Sequence, residues 1–404
     1  MKFSLLITTV FGNQQKVHYY CSQLHNQIKV MITNEIILWI ILSIYLISWF
    51  IQQIHYSFIF LRFVRRAQPT QPTSAVVPVS VVICARNEAE NLEKYLPMIL
   101  EQDYPNYEVI VVNDCSDDET EDVLKRFKEK YPHLRTTFLK EQEKFWHGKK
   151  LALTVGIKAA RHEWLLLTDA DCAPSSNEWI KTMAQHFTDD KAIVLGYGGY
   201  LEYPGFLNRI IRYETAFIAL QYFSYALSGM PYMGVGRNMA YRKSLFFAHK
   251  GFASHAKLDS GDDDLFVNEA ATSTNVAVEW SNKAHTYTEP KKTFTDWVEQ
   301  KKRHLTTFTR YRKLHKFMLG TEVISRVLFY ASFLFLLANK FYIEVVLILF
   351  GVRLIHQLVV MLTLLKRLQE KRLVVWTVFF DIILPFINFY IYLLNKIRPY
   401  KRWR

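Results

Sequence analysis

The sequence predicts an α/β domain with a Rossmann-like, mostly parallel sheet, carried on transmembrane α-helices. Three observations lead there. Between residues 78 and 171, short runs rich in Val, Ile and Leu alternate with longer amphipathic stretches, the rhythm of βαβ units with right-handed crossovers. Two of the apolar runs end in aspartate, at Asp114 and at the pair Asp169/Asp171. Apolar segments at both ends of the chain approach or reach the roughly 20 residues needed to cross a bilayer.

Residues 1–34 are an N-terminal extension without an assigned element. Its start, MKFSLLITTVF, resembles a short signal core, but polar residues follow at once and no convincing cleavage site is present. Met31 is an alternative start. Residues 35–63, opening IILWIILSIYLISWF, read as a transmembrane helix. Arg62, Arg65 and Arg66 follow it, which places this flank in the cytoplasm and the N-terminus outside. Residues 64–77 are a linker rich in Pro, Thr and Gln.

The domain of residues 78–290 opens on VSVVICA, a buried strand. NEAENLEKYLPMILEQ follows as a helix, with Asn87 the expected N-cap. YEVIVVND, LRTTFLK and EWLLLTDAD are further strands, with DDETEDVLKRFKEK and GKKLALTVGIKAA the helices between them. Ligands of such sheets bind beyond the carboxyl ends of the strands, where the aspartates fall. GFLNRIIRYETAFIALQYFSYALSG is a long aromatic helix suited to a cleft wall or a bilayer surface, and NVAVEWSNKAHTYTE is strand-like.

Residues 291–318 form an amphipathic interface helix; nine Lys/Arg face only Asp296 and Glu299 between 291 and 316. Residues 319–396 hold three apolar runs read as C-terminal transmembrane helices, and 397–404 are a basic tail. Three full spans would leave KIRPYKRWR outside, against the positive-inside rule. Pro385 suggests that the last run breaks and returns.

Half the residues are hydrophobic and 22% charged, which excludes disorder over most of the length. The net charge, 50 − 37 = +13, suits nucleic acid or an anionic membrane face. The apolar runs favour the membrane. Cys21, Cys84, Cys115 and Cys172 form no CxxC pair, so a zinc site or disulfide framework has no support.

Four constellations carry chemistry. Asp114, where a strand meets a polar turn, can accept hydrogen bonds from a base or ribose; with Asp117 and Asp118 it can equally cap the next helix. Asp169 and Asp171 close a strand of continuous Leu, a placement that calls for a compensating partner. A divalent cation, Mg²⁺ or Mn²⁺, bridging to a diphosphate would supply it. Asp262, Asp263 and Asp264 repel one another, which raises one pKa toward that of a general base; they can also serve a helix N-terminus. Gln300 and Arg303 share a helix face from which an arginine fork could hold a diphosphate or lipid phosphates. His147, Lys149 and Lys150, in HGKK, open a helix and offer basic groups for phosphate, or a solvated cap.

In this order the constellations resemble the family 2 glycosyltransferases, inverting enzymes of GT-A fold, over residues 78–316. VSVVICARNEAENL, HGKKLALTVGI and GVGRNMAYRK are similar to further family stretches. The resemblance implies that Asp114 reads the nucleotide base and that Asp169 and Asp171 place the metal and diphosphate. It makes Asp262 the base, with Asp263 its rival because Gly261 stands where the family often has Glu. His304 stands where processive members have Trp in QxxRW.

The expected function is a membrane-bound transferase. It would move a sugar from a nucleotide-sugar, a UDP-sugar in the first instance, to a lipid-linked or saccharide acceptor. Nucleotide binding falls to Asp114, Lys150, Asp169, Gln300 and Arg303, the divalent cation to Asp171 and Asp169, and catalysis to Asp262 or Asp263. Its domain would be cytoplasmic, on the cell membrane, with no nucleic-acid partner. The alternatives are a processive polysaccharide synthase and, from another class, a basic membrane adaptor without catalysis.

Overall fold

A computed structural model of the chain describes residues 2–67, 76–139 and 148–400. Most of the expected linker, His147 of the HGKK stretch and the last residues of the basic tail lie outside the described residues. In chain order the elements begin with helix α1 (Lys2–Ile54), a π-helical turn (His55–Phe60) and α2 (Leu61–Arg65). Then come β1 (Val79–Ala85), α3 (Ala89–Leu100), β2 (Tyr107–Asp114), α4 (Thr120–Lys130), β3 (Leu134–Leu139), α5 (Lys149–Ala159) and β4 (Trp164–Leu167). The middle of the chain forms β5 (Cys172–Pro174), α6 (Trp179–Ala184), β6 (Ile193–Leu195), β7 (Gly198–Tyr200), α7 (Phe206–Leu227), β8 (Met239–Arg242) and α8 (Lys243–Ala248). The last elements are α9 (Asp264–Ala270), β9 (Val276–Val278), β10 (Thr286–Thr288), α10 (Phe294–Phe308), α11 (Lys313–Ala338), α12 (Ile343–Arg367) and α13 (Thr377–Ile397).

Among the described residues, four helical segments are long and apolar enough to cross a membrane: Lys29–Arg65, Lys313–Ala338, Ile343–Arg367 and Arg372–Ile397. The chain divides into two compact units, Met1–Gln53 with Glu322–Leu354, and Ile54–Thr321 with Ile355–Arg404.

Polar bonds between helices hold the first unit. Tyr45 donates to the Val346 carbonyl at 2.7 Å and Trp49 to that of Leu349 at 2.9 Å. Gln52 donates to Ser325 and to the Glu322 carbonyl, and accepts from Arg353. Arg353 also donates to Tyr330 at 2.6 Å, and Arg326 pairs with Glu322 at 3.0 Å. Ionisable groups in such helices cost several kcal/mol unless paired, and each of these three is buried with its partner.

The second unit is the α/β domain. Its main sheet runs β3-β2-β1-β4-β8-β6-β9 among the described residues. β3, β2, β1 and β4 are mutually parallel, β8 lies antiparallel between β4 and β6, and β9 is parallel to β6. A smaller sheet, β5-β10-β7, lies beside it. Alternate strand residues feed two cores. Val81, Ile83, Val109 and Val111 pack with α3, α4 and α6; Val82, Ile110, Val112, Leu165 and Leu167 pack with α5 and α7.

Four local expectations differ from what forms. Asn87 does not cap α3: it takes a left-handed φ of 55°, and its side chain accepts from the Asp117 amide at 2.8 Å. α7 is not a bilayer-surface helix. Fifteen of its 22 residues, including Tyr213, Phe217 and Tyr222, are buried within the domain. The basic helix stops at Phe308, because the turn after it takes Tyr311 to Asp264 and the Arg312 amide to Asn268. α13 runs unbroken through Pro385.

Gly156 marks where α5 meets the sheet. A Cβ there would stand 2.7 Å from Val82 Cγ1 and 3.0 Å from Val112 Cγ2. Gly156→Val should therefore cost about 1–3 kcal/mol through overpacking, read as a lowered thermal midpoint of the purified protein. An unchanged midpoint would mean that α5 can lift off the sheet freely.

Candidate active site

The site forms at the carboxyl ends of the parallel strands. Asp114 ends β2 and is buried. The loops after β1 and β2 tie together across this edge. The Asn87 amide donates to Ser116, the Glu88 amide to Thr120, and the Ala89 amide to Asp118 at 3.1 Å. Asp118 also accepts from the Thr120 amide. It therefore serves the turns, the capping role open to the acids after Asp114.

Asp169 and Asp171 follow β4. Oxygens of both carboxylates and the Cys172 sulfur lie within 4.8 Å of one another. Asp171 accepts from Thr288 at 2.9 Å, across from β10. Burial and these two carboxylates push the Cys172 thiol well up, so the sulfur stays protonated. The donor set is thus two hard oxygen groups, which suit Mg²⁺ or Mn²⁺ sharing its shell with water and phosphate. Glu88 adds negative charge close by: burial raises its carboxyl, and Asp171 and Asp169 raise it further despite a hydrogen bond from Asn91.

Lys149, the first residue of α5, joins this pair to the acids near α9. Its Nζ lies 2.7 Å from Asp169 Oδ1 and 3.1 Å from Asp262 Oδ2. Loss of water works against its charge, but Asp169, Asp262 and Asp263 raise the Lys149 pKa well above the usual range. The adjacent Lys150 points elsewhere, donating to the carbonyls of His255, Leu258 and Ser260 at 3.0, 2.6 and 2.6 Å. It pins the loop that leads to the acids.

The three acids have three environments. Asp262 is buried against Lys149. Burial raises its carboxyl, but the Lys149 ammonium, by charge and hydrogen bond, brings it below the usual range. Asp263 caps α9, accepting from the Asp264 amide at 2.7 Å and the Gly236 amide at 2.8 Å. Burial, Asp262 and Asp264 push it up to about 7. Asp264 accepts from Thr307 and Tyr311, and its pKa is raised, chiefly by burial. Gly261 precedes them at φ 106°, where a Cβ would meet Leu265 Cδ1 at 2.7 Å. A Glu could not stand there unstrained.

Gln300 donates to the Tyr200 hydroxyl at 3.2 Å, and Arg303 lies half-buried one turn on. The same hydroxyl accepts from Arg237, whose guanidinium also donates to the Gly198 carbonyl at 2.9 and 2.6 Å and lies 4.6 Å over the Tyr200 ring. Arg237, Tyr200 and Thr288 were not among the sequence candidates, whereas Lys149 was named with Lys150 in the HGKK stretch. Lys149 and Arg237 were legible as cations inside GKK and GVGRN; their orientation was not.

Residues 80–248 match the family described as Glycosyl transferase family 2. That segment is a family 2 glycosyltransferase domain. Its fold is GT-A, like that of a mannosyltransferase from Pyrobaculum calidifontis solved with GDP-Man and Mn²⁺. That match has a TM-score of 0.55 at 18% identity, covering 86% of this chain and 98% of the other. Among curated relatives, Glycosyltransferase AglE of Haloferax volcanii is 30% identical over 145 residues, 35% of this chain and 46% of that protein. A poly-beta-1,6-N-acetyl-D-glucosamine synthase of Staphylococcus epidermidis is 32% identical over 133 residues, 33% of this chain and 30% of that protein. The chain thus spans less than half the length of each of these two relatives.

The acids of this site carry a pH signature. A carboxyl raised by folding, as Asp263 is from 3.8 to about 7, stabilises the fold at low pH and loses that contribution as pH rises through its folded pKa. Asp263→Asn should flatten the dependence of the thermal midpoint on pH between about 4 and 7. A slope identical to that of the unaltered protein would exclude Asp263 as the titrating group.

Proposed function

We propose that the protein is an inverting glycosyltransferase that moves a sugar from a nucleotide-sugar to a hydroxyl of a lipid-linked or saccharide acceptor at the membrane. The observation that carries this reading is Lys149, one cation in contact with both Asp169 and Asp262. It brings the residues suited to the diphosphate and the residue suited to the acceptor within one side chain of each other.

Asp114, buried at the strand edge, suits the nucleoside, and Asp169 with Asp171 suits the diphosphate. Mg²⁺ or Mn²⁺ held by those two carboxylates would stabilise charge on the leaving diphosphate, worth several kcal/mol. Lys149 faces the same carboxylates and takes the phosphate role expected of Lys150. Gln300 is held toward the site by Tyr200, with Arg303 beside it. Asp262 takes the proton of the acceptor hydroxyl. The acceptor oxygen bonds to the anomeric carbon from the face opposite the diphosphate, the bond to the diphosphate oxygen breaks, and its electron pair leaves with the diphosphate. One displacement inverts the anomeric centre.

Asp262 suits the base better than Asp263. Both Asp263 oxygens are held by backbone amides, whereas Asp262 meets a flexible ammonium and stays ionised at neutral pH. The raised pKa of Asp263 serves the loop. The catalytic domain is read as cytoplasmic, because Arg62, Arg65 and Arg66 follow the first candidate span.

A second reading, a processive polysaccharide synthase, is favoured by the match to the poly-N-acetylglucosamine synthase. His304 in place of Trp, a smaller ring, favours single or short additions. Sizing products early, while most acceptor is unmodified, separates the two: a high-mass polymer means processivity.

Losing a positioned general base costs about 10²–10⁴-fold in rate. Asp262→Asn should show that loss in a screen of UDP- and GDP-sugars for nucleotide release, with donor affinity unchanged. Asp263→Asn showing the larger loss would move the base to Asp263. Asp171→Asn should remove the Mn²⁺ dependence of UDP binding in calorimetry; unchanged affinity would remove its metal role. A basic adaptor would bind no UDP at all.

A further inference from the structure

We infer that α13 does not cross the bilayer but lies along its surface as an interfacial helix, with the C-terminal tail on the side of the catalytic domain. Composition alone makes this segment a candidate span. Its packing within the second unit argues otherwise, and that packing does not depend on the proposed activity.

The entry to α13 is fastened to the domain. Glu370, buried just before it, pairs with Arg212 of α7 at 2.5 Å and accepts from Tyr197 at 3.0 Å. Arg372 pairs with Glu202 at 3.1 Å. Arg209 of α7 lies 5.1 Å over the Trp376 ring. Tyr213 donates to the Thr377 carbonyl at 3.1 Å, and its ring packs 5.1 Å from that of Phe380.

The contact continues along the helix. Thr377, Phe380, Asp381, Leu384 and Ile391 are buried, and Ile387 and Leu394 pack against the same core. These positions fall at helical spacing on one face, and α13 lies against α7 and α10. α7 carries Arg209, Arg212 and Glu214; α10 carries Asp296, Glu299, Lys301, Lys302 and Arg303. A helix of roughly 31 Å packed on such neighbours cannot cross hydrocarbon without taking their charges with it.

The opposite face is apolar and aromatic. Phe379, Phe386, Phe389, Tyr390, Tyr392 and Leu393 are exposed. A helix with one face on a charged domain and the other apolar sits at the headgroup–acyl boundary, its apolar side buried about 5–10 Å. Its occupant is therefore the adjoining lipid leaflet. Charge agrees: Lys396, Arg398, Lys401, Arg402 and Arg404 follow, with no acid after Asp381. An interfacial α13 keeps all five beside Arg62, Arg65 and Arg66 in the positive-inside sense, whereas a spanning α13 would export them.

Two measurements on the full chain test this. Epitope tags before Met1 and after Arg404 are probed with protease in sealed vesicles of both orientations. The C-terminal tag should be cut only where the catalytic domain is accessible, and the N-terminal tag only in the other orientation. A C-terminal tag cut from the opposite side to the catalytic domain overturns the proposal. Photoactivatable phospholipids then report depth. A probe near the headgroup end of the acyl chain should label the Phe386–Leu393 peptide at least about fivefold more than a probe at the chain terminus, the ratio expected for a preference of ~1 kcal/mol. Stronger labelling by the terminal probe means a span. No labelling by either means that protein, such as a second copy, covers the face; both results overturn the proposal.

Discussion

The Lys149 ammonium is the interaction on which the site depends. Asp169, Asp171, Asp262 and Asp263 converge at one edge of the sheet, with Glu88 nearby. Like charges at this density disfavour their own ionisation. A cation in contact with two of them offsets that cost. Its position is otherwise unfavourable, since the first turn of a helix is the positive end of the dipole and repels a lysine. Lys149 is held at the start of α5 because the carboxylates outweigh the dipole. The same carboxylates would lose this partner in any variant that neutralises it.

From that one cation follows a division of labour among the three neighbouring acids. Environments that push pKa values apart assign acid and base roles. Here Asp262 is drawn down by Lys149, while Asp263 is driven up by burial and its neighbours. Backbone geometry enforces the split. Gly261 turns the chain through a left-handed conformation, after which Asp262 meets Lys149 and Asp263 turns back to cap α9 and hold Gly236. Lys150 fixes the loop before that turn with three carbonyl contacts. Two adjacent lysines thus act on the same acids by different means, one by charge and one by anchoring the backbone.

The legible part of the fold was the part governed by local pattern. β1, β2, β4, α4 and α5 form where Val/Ile/Leu runs and amphipathic stretches alternate, and Asp114, Asp169 and Asp171 sit at the strand ends. What was not legible depended on distant partners. Nothing local says that Asn87 serves the Asp117 amide rather than α3. Nor does sequence tell which of Lys149 and Lys150 faces the acids, because adjacent helical residues differ by about 100° and the choice rests on where α5 begins. Of the two settings open to α7, a cleft wall or a bilayer surface, burial within the domain excludes only the second. An aromatic helix is equally suited to lipid and to a protein interior, and only its neighbours decide. NVAVEWSNKAHTYTE read as one strand but supplies β9 and β10 to two sheets, divided where Ser281 and Asn282 turn the chain.

The charge of the chain is unevenly distributed along it. Residues 54–67, 309–321 and 355–369 hold nine Lys/Arg and no acid, and residues 382–404 hold five more, again without an acid. Those fourteen cations exceed the net +13 of the whole chain, so the remainder carries −1. These segments adjoin the ends of α2, α11, α12 and α13. Residues 1–53 and 322–354 carry a net +3 and residues 370–381 no net charge, so residues 68–308 of the α/β domain carry −4, with several acids gathered at the strand edge. A polyanion would find its complement beside the apolar helices, where lipid headgroups compete for the same charges, and would meet Asp114, Asp169, Asp171 and Asp262 at the cleft. A basic surface concentrated at these helix ends suits anchorage at an anionic leaflet, and it leaves the acids of the strand edge to a ligand able to bring its own cation.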